Sequence, residues 1–135
     1  MSDYGMAVTL ATDFDDAVTR TRAALAEQGF GVLTEIDVAA TMKTKLDVDL
    51  APYLILGACN PPLAHRAITA EASIGLLLPC NVVVRSIDAG TTLVEAMDPA
   101  VMVKLTDHPD VRAVADEART KLAEALRTLA VEVSA

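Results

Sequence analysis

Cys59 and Cys80, the only cysteines of the chain, each sit beside an asparagine and a proline, in Gly57-Ala58-Cys59-Asn60-Pro61 and Leu78-Pro79-Cys80-Asn81. Both segments lie where an apolar run meets a structural break. A thiol is a small hydrophobe when protonated, and a nucleophile and soft metal ligand when ionised. A neighbouring amide adds a donor and an acceptor. The repeat therefore predicts one ligand site built from Cys59, Asn60, Cys80 and Asn81. Its thiols could hold a soft metal, with Met97 or Met102 as nearby thioethers. They could instead form a reversible disulfide or carry a sulfur atom as a persulfide, or one of them could act as a nucleophile. The plain alternative is that both thiols are inert and merely buried.

Other chemistry is thinner. Cys80 lies twenty-one positions after Cys59, which gives neither a CxxC motif nor a zinc-ribbon spacing. His65 and His108 are the only histidines, so a zinc site would need both to converge on the thiols or a second chain to contribute. His65, six residues beyond Cys59, makes a Cys-Cys-His set conceivable, while His108 precedes Pro109 at a helix start and reads as a surface residue. No catalytic residue can be named, and no cofactor is required. Glu35 and Asp37 share a strand face as a carboxylate pair, which a solvated edge explains equally well. Lys43 and Lys45 could meet an anion, though solvated lysines explain them too, and Asp13, Asp15 and Asp16 suit a helix N-terminus. The chain lacks a glycine-rich phosphate loop and a GxSxG elbow.

The elements that must position the cysteines follow from periodicity. Tyr4 to Ala11 reads as a strand, and a helix begins at Thr12 with Asp15 as a capping-box partner and Gly29 as its stop. Phe30 to Val38 alternates as a second strand, with Val32, Ile36 and Val38 on one face and Leu33, Glu35 and Asp37 on the other. Ala39 to Leu46 is a short helical connection, and Pro52 to Ala58 a third, central strand. Asn60 caps a helix with Pro61 at its first position, running to about Ala72. Gly75 to Ile87 and Thr91 to Met97 form a hairpin around Asp88-Ala89-Gly90. Asp98-Pro99 starts a short helix, and Asp107 to Pro109 opens a last long one whose apolar residues, from Val111 to Leu129, keep helical spacing.

The order β-α-β-β-α-β-β-α predicts an α+β two-layer sandwich. Its mainly antiparallel five-stranded sheet would carry helices on one face, around a ferredoxin-like core with an added hairpin strand and a C-terminal helix. The strands are too apolar to leave the other face wet, which predicts a homodimer.

The 135 residues fit a single domain, 1–135, and 53% hydrophobic content supplies its core. With 3% aromatic residues, that core must be Val, Leu, Ile, Ala and Met. A net charge of −8 repels phosphates and anionic lipid, so neither nucleic acid nor membrane is an expected partner. The start carries no signal-peptide pattern and no apolar stretch is long enough to span a bilayer, so the expected location is the cytoplasm, with reduced thiols.

The chain resembles the DUF302 family, small bacterial and archaeal proteins of unknown function. The likeness rests on Gly29-Phe30-Gly31-Val32-Leu33 and Glu35-Ile36-Asp37-Val38. It continues through Tyr53-Leu54-Ile55-Leu56-Gly57-Ala58-Cys59-Asn60-Pro61 and Gly75-Leu76-Leu77-Leu78-Pro79-Cys80-Asn81-Val82. It covers about Phe14 to Val84 in detail, with a weaker echo at Met97-Asp98-Pro99 and in the last helix. Asp47 departs from the glycine that the family pattern would place there. The resemblance implies a compact α/β domain and a cytosolic homodimer, and it implies no reaction. The sequence thus predicts a small binding protein whose site is centred on Cys59, Asn60, Cys80 and Asn81. Its ligand would be a soft metal or a small, sulfur-containing or polar molecule. The rivals are a thiol redox or sulfur-carrying protein and an interaction module with inert cysteines.

Overall fold

The computed structural model describes residues 3–133. Five strands, β1 (Gly5–Leu10), β2 (Gly31–Asp37), β3 (Tyr53–Cys59), β4 (Cys80–Asp88) and β5 (Thr91–Met97), form one sheet in the order β1-β5-β4-β3-β2. Every neighbouring pair is antiparallel. Helices α1 (Phe14–Glu27), α3 (Pro61–Ala70), a four-residue α4 (Ala100–Val103) and α5 (Pro109–Glu132) form the second layer. This is the expected α+β two-layer sandwich. Relative to a ferredoxin-like core, the strands joined by α1 stand further apart. Three strands, β3, β4 and β5, lie between β1 and β2, so the added hairpin strand sits inside the sheet.

Alternation decides which side chains meet the helices. Leu54, Leu56 and Ala58 of β3, Cys80, Val82 and Val84 of β4, and Val94 and Ala96 of β5 are buried against α1 and the C-terminal half of α5. Each large aliphatic buried this way contributes about 1.5–3 kcal/mol. Leu63, Ala67, Ile74, Met102, Val111, Val114 and Ala118 make a second cluster beneath α3 and the N-terminal half of α5. At 24 residues α5 is long enough to reach both.

Several expected details move. Helix α1 starts one residue later than expected, because Asp13 rather than Thr12 accepts from the Asp16 amide, at 2.8 Å. Thr12 instead donates to the Asp16 carboxylate at 2.7 Å. In β2 a bulge between Val32 and Thr34 shifts the register, so Val32 packs on the core while Ile36, opposite Ile55, turns to the face away from it. Gly75 to Leu77 belong to a 3₁₀ turn, Ala72–Leu77, and β4 begins only at Cys80, after a cis Leu78–Pro79 peptide. Asp47 closes α2 (Val38–Leu46) in the left-handed region at φ 53°, a conformation that favours glycine.

Candidate functional site

Cys59 ends β3 and Cys80 opens β4, and in the pairing of these strands Ala58 stands opposite Cys80. Cys80 therefore shares the core face with Val82 and Val84 and is buried. Cys59 is half-buried, the last residue of β3, paired with Gly31 of β2 just before the Asn60 cap of α3. Neither cysteine is in a disulfide. Both line one small cavity at the seam between the two hydrophobic clusters, together with Asn60, Phe30, Pro79 and Met102. Alanines at 58, 64, 67, 115 and 118 complete much of its wall, and their short side chains leave the space open. The cavity holds about 40 Å³. Burial, and secondarily the adjacent Cys59, push the Cys80 thiol up to about 11, so it keeps its proton at neutral pH.

Asn60 is the polar side chain of this wall, and its groups are committed to the fold. Its Oδ1 accepts from the Leu63 amide at 3.4 Å, capping α3, and its Nδ2 donates to the Gln28 carbonyl at 3.2 Å. The latter bond ties the C-terminus of α1 to the N-terminus of α3. Gly29 beside it has φ +84°, and a Cβ there would lie 3.0 Å from the Asn60 Nδ2. Positive φ and close approach together call for glycine.

Asn81 is not part of this arrangement. One residue along β4 from Cys80, it is exposed, and with Tyr53, Arg85 and Glu95 it lines an open groove of about 680 Å³ on the sheet face away from the core clusters. The expectation that both amides join both thiols fails there, because the two-residue period of a strand sends Asn81 to the opposite side from Cys80. Arg85 and Glu95 pair across β4 and β5 at 3.0 Å within this groove.

The histidines share a groove with each other rather than with the cysteines. His65 and His108 line a separate surface groove with Arg66 and Asp110. His108 caps α5 by accepting from the Asp110 amide at 3.2 Å, a structural role that its reading as a plain surface residue missed. Among the described residues no three or more His, Cys, Asp or Glu gather to hold a metal. Several of the remaining charged candidates have local partners. Glu35 pairs with Arg22, Asp37 caps α2 through the Ala40 amide at 2.9 Å, and Lys43 bridges Asp47 and Asp49. Of the thioethers named from the sequence, Met102 reaches the thiol cavity, while Met97 packs between the clusters and lines the open groove. Phe30 and the alanine wall were not singled out. The helical spacing of Ala64 with Ala67 and of Ala115 with Ala118 is the signal that carried them.

No helix among the described residues is long and apolar enough to cross a membrane. No curated protein matches the chain. Among solved structures, it is similar to the crystal structure of an uncharacterized conserved DUF302 protein from Bacillus stearothermophilus. That similarity has 28% identity and a TM-score of 0.84, over 93% of this chain and 98% of the other. The profile of the family described as "Domain of unknown function DUF302" matches residues 6–129, nearly the full length, and the chain belongs to that family.

Proposed function

We propose that this protein, read as one DUF302 domain working in the reducing cytoplasm, is a binding protein that holds a single small thiophilic species, a soft metal ion, between Cys59 and Cys80. The observation that carries the reading is the one small cavity that both cysteines line. Its 40 Å³ compares with roughly 10–15 Å³ needed for one water and roughly 300–1,000 Å³ for an ordinary small-molecule site. One ion or a few atoms fit, and an organic metabolite does not. No carboxylate lines the wall, which disfavours hard cations that need oxygen ligands. Two cysteines without a converging histidine also fall short of the four ligands of structural zinc. Soft ions that form strong bonds to sulfur suit the remaining ligand set.

The thiol redox and sulfur-carrying alternative is less well supported. A Cys80 thiol at about 11 is a poor nucleophile at neutral pH, and no basic side chain lines the cavity to take its proton. A metal can displace that proton by coordination. Anaerobic titration with Cu(I) against a competing chelator tests the proposal. The wild-type chain should take up one ion, and Cys59→Ser and Cys80→Ser should each lose that high-affinity binding. Unchanged uptake in both variants would leave the thiols as inert core residues.

The sheet face opposite the helices favours a second reading, homodimerisation. Tyr53, Ile55, Val83 and Leu93 are half-buried there, and Ile36 is 50% exposed. A second copy would cover this apolar strip without burying an unpaired charge, since Arg85 and Glu95 already neutralise each other. Sedimentation should find a dimer that Val83→Arg converts to folded monomer; a wild-type monomer at all concentrations would exclude it.

A further inference from the structure

Three sulfur-bearing residues, not two, line the cavity. Building on the dithiol reading, we propose that Met102 is the third ligand of a three-sulfur site, and that the site is selective for a monovalent, Cu(I)-class ion. Met102 is 4% exposed and lines the same wall as Cys59 and Cys80. The three residues come from three elements, the end of β3, the start of β4 and α4, so they approach the space from different directions. Thioether sulfur is a soft ligand that suits monovalent copper and disfavours hard, oxygen-seeking ions.

The position of Met102 is fixed from outside. Asp98, just before α4, donates its amide to the Tyr4 carbonyl at 2.9 Å. Its carboxylate accepts from the Ala100 amide at 2.9 Å and from the Arg119 Nε of α5 at 3.0 Å. A four-residue helix is thereby anchored to the N-terminal edge of the sheet and to the long helix, with its buried methionine at the cavity. Asn60 offers no competing ligand, because both ends of its amide are engaged elsewhere. Cys59 is the most exposed of the three sulfur residues and is the point of entry. An arriving ion meets Cys59 first, then Cys80 and Met102, and each coordinating thiol gives its proton to solvent while the thioether binds unchanged.

Met102→Leu tests this, since the two side chains are close in volume and the exchange is tolerated in cores. A thermal melt of the ion-free variant verifies that it folds. Its Cu(I) affinity should fall by at least about tenfold, the loss that even outer partners of a metal cause when removed. Its affinity for Hg(II), which two thiolates hold alone, should stay unchanged, and X-ray absorption of the wild-type Cu(I) form should count three sulfurs. If Met102→Leu keeps full Cu(I) affinity while the two serine variants lose it, the third ligand is refuted and the dithiol site survives. If all three variants bind Cu(I) like the wild type, both proposals fall.

Discussion

The two Cys-Asn dipeptides are the same in sequence and opposite in use. In the first, the thiol is half-buried and the amide is buried, holding two helix ends together. In the second, the thiol is buried and the amide is exposed on the far face of the sheet. The difference comes from where each dipeptide falls in its strand. Cys59-Asn60 straddles the end of β3 and the cap of α3, and its burial runs in the opposite phase, half-buried then buried. Cys80-Asn81 lies inside the regular pleat, where neighbours must part. A repeated motif therefore builds half of its site twice on the thiol side and only once on the amide side.

Thiol reactivity should divide the segments most sharply. In the ion-free protein Cys59 should alkylate first, and Cys80 should resist at pH 8, where about one in a thousand molecules carries its thiolate. Its rate should climb about tenfold per pH unit until near pH 11. The same shift bears on stability. Below about pH 9 the Cys80 thiol is protonated both folded and unfolded; above it, the unfolded chain loses the proton while the folded chain keeps it until about 11. Stability should therefore fall through that window, and Cys80→Ala should flatten that part of the profile. Mass-resolved labelling showing Cys80 reacting first would reverse the roles assigned to the segments.

Asn60→Ala should cost about 2–4 kcal/mol in chemical denaturation, combining a lost N-cap with a stranded Gln28 carbonyl. Gly57→Ala should follow at about 1–3 kcal/mol, because a Cβ there would lie 2.9 Å from the Pro79 ring and crowd Thr34. Gly57 is where the first segment's backbone rests against the second segment's proline. A neutral outcome would mean that the segments have slack between them and that the cavity is less defined than its walls suggest.

Much of this was legible in the residues. The cap at Asn60, the proline after it, the hairpin of β4 and β5 and the apolar stripe of α5 are local signals, and local chemistry decides them. The seam between the two hydrophobic clusters was not legible, because it depends on how far apart α1 and α3 settle on the sheet. The bulge in β2 was also hidden: Val32 and Ile36 match one face in a regular strand, and only pairing with β3 reveals the extra residue. Asn81 was misplaced for a simpler reason, in that symmetry of sequence was allowed to outweigh the two-residue period of a strand. Met102 was named among the thioethers, but choosing it over Met97 required knowing which side of the core α4 closes.

The smallest effect is the most discriminating. Asn81→Ala should change folding stability by no more than about 0.5 kcal/mol, as for an exposed strand residue without a special contact. It should also leave Cu(I) affinity at the wild-type value. Any change should fall instead on self-association, since Asn81 lines the open groove that a second copy would cover. Stability, ion binding and sedimentation measured on this one variant thus separate the sheet's two faces. A drop in Cu(I) affinity alone would mean that the second amide reaches the thiols after all, by a rearrangement of β4 that its pairing with Gly57 opposes.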